Sequence, residues 1–223
     1  MRKTIALCCA LAALGGLPAA LSAAETATYD LLFRSGTLDD LPRDQALIYH
    51  REVSNSLTPD AATRDTGDIA LSFSDGVAEQ ADLQFRQDGK HRNLGSFPAS
   101  VGNPIIMYFY ETVVRDMAET AGGSPFYIRN RVKDALTRQW AETPGTASYD
   151  GQTVATRSVT LRPFAEDPNR AAMRGFGDLA LTVTMSDAVP GWYLSLEAHV
   201  PGAEADTPVY HSDLRFQTLE PQS

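Results

Sequence analysis

Hydrophobic and polar positions alternate with period two through much of the first third of the chain. Tyr29, Leu31 and Phe33 form one run, Leu47, Tyr49 and Val53 a second, Ile69, Leu71 and Phe73 a third, and Leu83 with Phe85 a fourth. Successive side chains on a strand point to opposite faces, so this spacing predicts half-buried strands. Turn-forming clusters separate the runs: Asp39-Asp40, Thr66-Gly67-Asp68, Asp75-Gly76 and Asp88-Gly89. The last lies between residues 81–87 and 90–95 and signals a tight antiparallel hairpin.

The period changes at Asn103-Pro104, a capping residue followed by a proline suited to a first helical turn. No glycine or proline interrupts the chain from there until Gly122-Gly123, and Ser124-Pro125 then repeats the start signal. Helices are predicted at about 104–120 and 125–139, joined as a hairpin by the Gly-Gly turn and ended by Pro144-Gly145. Period two returns in residues 153–162, then in Leu179, Leu181, Val183 and Met185, then from Trp192 to Val200, and last in Tyr210, Leu214 and Phe216. The expected fold class is α+β: one domain over residues 25–223, a curved antiparallel sheet of about eight strands with the mid-chain helical hairpin over one face.

Residues 1–24 read as a cleaved secretory signal. Arg2 and Lys3 open it, an apolar stretch runs from Thr4 to Leu21, and Ser22-Ala23-Ala24 forms the cleavage site. Gly15, Gly16 and Pro18 break the stretch, which argues against a retained anchor. Leu7 is not the small residue that precedes a lipid-modified cysteine, so Cys8 is not read as a lipidation site. No later stretch is apolar for long enough to span a bilayer, so no transmembrane segment is expected in the mature chain. Scarce lysine (Lys3, Lys90 and Lys133) and abundant alanine suggest a GC-rich bacterial genome, and the expected location is periplasmic or secreted.

Charge narrows the partners. There are 28 acidic and 19 basic residues, a net charge of −9, and losing Arg2 and Lys3 with the leader takes it to −11. Such a field opposes binding along a phosphate backbone, so nucleic acid is not an expected partner. Cys8 and Cys9 are the only cysteines, which leaves the mature chain without a disulfide, thiolate ligand or cysteine nucleophile. No G-x-S-x-G, P-loop, H-E-x-x-H or dinucleotide fingerprint occurs, so no catalytic residue, cofactor or metal is expected.

The segment richest in information is Ile105-Ile106-Met107-Tyr108-Phe109-Tyr110. Six apolar or aromatic residues at about 100° each cover the whole circumference of a helix, where a surface helix needs only one stripe. This end must be enclosed by protein, by a partner or by an apolar ligand. Ile105, Ile106, Phe109, Tyr110 and Val113 are therefore the candidate ligand-contacting residues. Arg129, Arg131, Lys133 and Arg138 make the second helix basic within an acidic protein and are candidates for contact with an acidic head group or a partner.

A leader, a cysteine-free mature chain, antiparallel strands, a mid-chain apolar helical segment and further strands together resemble the periplasmic lipoprotein-carrier and lipid-binding families of LolA/LppX type. The resemblance lies in the order of elements and matches no residue motif. It implies a sheet wrapped around helices with acyl chains held between them. It departs at the N-terminus, where those families have a helix and Tyr29 to Arg34 reads as a strand. The expected function is a soluble periplasmic binding or carrier protein enclosing a lipid or acyl chain. The alternative is a non-catalytic structural or interaction protein of the bacterial envelope with an envelope protein as partner.

Three of the four histidines have an acid two residues away: His50 with Glu52, His199 with Glu197, and His211 with Asp213. They lie in the phase opposite the large apolar residues, so a solvated sheet face is expected. Opposing Glu197 to Asp213 would place like charges together. The predicted register therefore sets Glu197 against His211, or Glu197 against Arg215 with His199 against Asp213, with no metal.

Overall fold

The computed structural model describes residues 28–74, 79–204 and 207–222; the segment read as a secretory signal, with Cys8 and Cys9, lies outside them. Among the described residues nine strands form one open, wholly antiparallel sheet: β1 (Gln45–Asn55), β2 (Gly67–Ser74), β3 (Gln80–Gln87), β4 (Lys90–Pro98), β5 (Glu142–Tyr149), β6 (Gln152–Leu161), β7 (Ala180–Met185), β8 (Tyr193–Val200) and β9 (Tyr210–Pro221). The order across the sheet is β4-β3-β2-β1-β9-β8-β7-β6-β5. Two meanders thus join where the first strand pairs with the last. The helices are α1 (residues 28–32), α2 (Pro59–Asp65), α3 (Ile105–Ala121) and α4 (Pro125–Leu136). Because the chain leaves the sheet at one edge, β4, and re-enters at the other, β5, the α3–α4 hairpin has to cross the sheet face. The inward positions of seven strands (β1–β3 and β6–β9) and of α3 and α4 merge there into one hydrophobic core, against which half-buried residues of the edge strands, Leu94 and Phe97 of β4 and Ala147 and Tyr149 of β5, also pack.

The α+β class, the antiparallel sheet and the helical hairpin follow the sequence pattern, with three corrections. Residues 28–32 are helical, not extended. Tyr29 and Phe33 stack one turn apart with ring centroids 4.6 Å apart, and the Phe33 N–H donates to the Tyr29 carbonyl at 2.8 Å. The second helix stops at Leu136 rather than 139. The Trp140 indole donates to the Ala135 carbonyl at 2.7 Å and the Thr137 hydroxyl to that of Asp134 at 2.9 Å, so side chains satisfy the last turn and no further turn is needed. Pro144-Gly145, expected to end the helical hairpin, lies inside the strand β5. β5 is an edge strand, where a proline's lost donor faces no neighbour.

The β8–β9 register departs from expectation as well. His199 stands opposite His211 and Glu197 opposite Asp213. The inner face outweighs the outer one. In this register Leu196 meets Leu214, and the buried Ser212 and Tyr210 both reach a buried Arg51–Asp116 pair. Against that, a like-charge cross-strand pair at the surface costs only about 0.2–1 kcal/mol. The cost is offset locally: His211 Nε2 donates to Glu197 Oε1 at 3.0 Å, and Arg215 Nε to Asp213 Oδ2 at 3.2 Å. Among the described residues no group of three or more His, Cys, Asp or Glu is arranged to hold a metal ion.

This pair predicts a titration. The hydrogen bond from His211 to Glu197, reinforced by their opposite charges, raises the imidazole above its ordinary 6.5 and lowers the carboxyl below its ordinary 4.5. The histidine's contribution to stability is complete below pH 6.5 and lost as pH rises through its folded pKa. The carboxylate's contribution is complete above pH 4.5 and lost as pH falls through its depressed pKa. NMR titration of the His211 ring should give a midpoint above 6.5 that falls back in Glu197→Gln. A wild-type midpoint at or below 6.5 would contradict the pairing.

Candidate functional site

The start of α3 is held by a single asparagine. Asn103 Oδ1 accepts the Ile105 N–H at 3.0 Å, one residue ahead of the first helical turn, while its Nδ2 donates to the Tyr49 hydroxyl at 2.9 Å and the Gly191 carbonyl at 2.8 Å. Its own N–H donates to Thr37 Oγ1 at 2.9 Å. The amide is thus satisfied on every side while joining α3 to β1 and to the loops after α1 and before β8. Gly102 precedes it with φ of +116°, and a Cβ there would come within 2.6 Å of the Arg34 carbonyl oxygen, so only glycine permits this approach.

α1 is docked from the sheet side. The Tyr193 hydroxyl donates to the Leu32 carbonyl at 2.5 Å and the Trp192 indole to that of Leu31 at 3.2 Å, which uses the orphan acceptors of a helix too short to satisfy them itself. Leu32 is fully buried beneath it.

These anchors leave a gap of about 750 Å³ between α1, the end of β4, the start of α3 and the end of α4. Tyr29 and Phe33 line one side, Phe97 and Pro98 another, Ile106 and Met107 a third, and Leu136, Thr137 and Lys133 a fourth. Tyr193 also borders it. Tyr29, Val101 and Met107 are large hydrophobics that remain 47%, 66% and 46% exposed, and all three line this cavity, so its rim is apolar as well as its walls. A smaller apolar cleft of about 490 Å³ sits at the opposite end of the hairpin, beside Met117, Ile128 and Met173.

The six-residue apolar run is therefore enclosed in two ways. Ile105, Phe109 and Val113 are fully buried in the core, and Ile106 is buried while also lining the cavity. Tyr110 is buried beside Phe33, ring centroids 6.4 Å apart, and its hydroxyl has no hydrogen-bond partner among the described residues. Burial pushes its ionisation well above the ordinary tyrosine range, so it is a neutral hydroxyl at the inner end of an apolar region. Met107 takes the exposed rim position.

The four cations of α4 are not equivalent. Arg129 grips Glu111 through two bonds of 2.8 Å, Arg131 lies 2.8 Å from Asp167, and Arg138 lies 3.4 Å from Glu166. Lys133 makes no ion pair among the described residues and lines the cavity. The rim residues from α1, β4 and the turn before α3 escaped sequence reasoning because they come from three separate segments. Only their shared excess of aromatic and aliphatic character next to turn residues hinted at them.

Taken together, the site defines a class: an open antiparallel sheet whose helix-covered face holds an apolar cavity with a cation at its edge. Among solved structures, the chain is similar to the lipoprotein LppX of Mycobacterium tuberculosis, at 10% identity over 89% of this chain and 98% of that one, with a TM-score of 0.37. It is also similar to a beta-barrel-like protein of a domain of unknown function (DUF1849) from Brucella abortus, at 10% identity over 80% of this chain and 98% of that one, with a TM-score of 0.19. No family model and no curated protein sequence matches the chain. Among the described residues no helix is long and apolar enough to cross a membrane.

Proposed function

We propose that the chain is an exported, periplasmic carrier that holds an apolar ligand, a lipid or acyl chain, in the cavity between α1, α3 and α4. The observation that carries this reading is the cavity itself. Its volume of about 750 Å³ lies within the range of about 300–1,000 Å³ typical of small-molecule sites. Three of the chain's exposed large hydrophobics gather at its rim, where a monomer with no ligand or partner gains nothing by showing them to water. Ile106 contacts the ligand directly, while Ile105, Phe109, Tyr110 and Val113 support the wall from behind.

Uptake of the neutral fluorophore N-phenyl-1-naphthylamine, together with native mass spectrometry of protein purified without detergent, tests the reading. Wild type is expected to bind the dye and to carry an amphiphile-sized mass. The rim variant Val101→Asp/Met107→Asp should lose both with little change in stability, because both residues are exposed and surface substitutions usually fall within about 0.5 kcal/mol. A wild-type protein that carries no mass and takes up no dye would overturn the proposal and favour an envelope interaction protein instead.

A further inference from the structure

We propose that the cavity's ligand is a single-chain amphiphile with an anionic head group, a carboxylate or a phosphate, and that the Lys133 ammonium receives that head group at the cavity edge. This rests on the carrier reading above and specifies its ligand class.

The contrast among the α4 cations carries the inference. In a chain where acids outnumber bases 28 to 19, Arg129, Arg131 and Arg138 each have an acid of their own. Lys133 does not. Its charge bears on Glu111, but that carboxylate is already held by both arms of Arg129. Of the two lysines among the described residues, Lys90 and Lys133, it is Lys133 that lies beside an apolar cavity. A lysine can lay its methylenes along an apolar wall and present its ammonium at the edge, an arrangement suited to a ligand with an apolar body and a charged end. Arg34, the other cation at the cavity, is paired with Asp187 at 2.6 Å and stacked over Trp192, so it shapes the edge and leaves Lys133 as the free charge.

Size sets the chain count. A cavity of about 750 Å³ matches one ligand of ordinary small-molecule dimensions, which suits one alkyl chain rather than a bundle of several. With the chain against Phe33, Phe97, Ile106 and Leu136, the head group emerges at the edge, partly shielded from water, where a charge-assisted contact is stronger than in bulk solvent.

The test uses the exported chain titrated by fluorescence with dansyl-undecanoic acid and, separately, with its neutral methyl ester. The acid should bind about tenfold more tightly than the ester, weakening as ionic strength rises. Lys133→Met should remove that advantage and leave ester binding unchanged, while Lys133→Arg should retain most of it. Displacement of the dansyl acid by dodecyl phosphate or by dodecanoate then identifies the preferred head group, and either result supports an anionic ligand. If acid and ester bind equally and Lys133→Met changes neither, the head-group inference is wrong and the carrier reading stands. If neither probe nor the neutral naphthylamine dye binds, the carrier reading fails and this inference with it.

Discussion

Replacing Asp116 with alanine is expected to destabilise the fold by about 3–5 kcal/mol, the usual cost of breaking a buried ion pair from one side. Arg51 on β1 is 1% exposed, and its Nη2 lies 2.5 Å from Asp116 Oδ2 on α3. The Tyr210 hydroxyl donates to the same oxygen at 2.7 Å, and Arg51 Nε donates to the buried Ser212 hydroxyl at 3.2 Å. Burial works against the Arg51 charge, but Tyr210 and Asp116 outweigh it and hold the guanidinium firmly protonated. In Asp116→Ala that charge keeps only a serine acceptor and no route to water. Chemical denaturation should show a lower midpoint with an unchanged slope, and a loss below about 1 kcal/mol would contradict the geometry. The double variant Arg51→Met/Asp116→Leu should recover most of the loss, since apolar replacements of buried pairs are often neutral or stabilising. The pair joins α3 to the two central strands, so the same contact that fixes the β8–β9 register also holds the helix whose first turn lines the cavity.

How far the sequence discloses this arrangement depends on how local the deciding forces are. The β3–β4 hairpin was legible because two adjacent residues determine it: Asp88 and Gly89 adopt φ of 51° and 70°, the left-handed values the dipeptide favours. The α3–α4 hairpin was legible for the same reason, with its capping, proline and glycine signals inside a short window. α1 was not. Tyr29, Leu31 and Phe33 satisfy a two-residue period, and Tyr29 with Phe33 equally satisfies a helical turn; the choice is made by Trp192 and Tyr193, which lie far away in the chain. β5 stayed hidden because Pro144-Gly145 signals a turn everywhere except on a sheet edge. The apolar run at residues 105–110 signals a helix end that must be enclosed, but which of its sides faces a cavity is decided by α1 and the end of α4. The Arg51–Asp116 pair leaves a signal in the pattern. Arg51 shares the phase of Leu47, Tyr49 and Val53, and Asp116 sits among Val113 and Met117, so each is a charge in an inward position with the other as its partner.

The last expectation separates core from rim within that one apolar run. Phe109 is fully buried, its ring packed against Tyr110 with centroids 5.3 Å apart. Truncating such a phenylalanine costs about 3–5 kcal/mol, so Phe109→Asp, which adds a polar group with no partner, should cost at least that much. Desolvation would raise the new carboxyl above its unfolded value near 3.9, so the penalty should be smallest below about pH 3.9, grow as pH rises from there, and level off once pH passes the raised value. Met107→Asp, two residues away and 46% exposed, should change stability by no more than about 0.5 kcal/mol while weakening uptake of the apolar dye. Urea denaturation of both variants at pH 5 and pH 8 measures the contrast. A near-neutral Phe109→Asp would place that side chain at a ligand or partner surface, and the helix would then have to sit on the sheet in a different rotation from the one described.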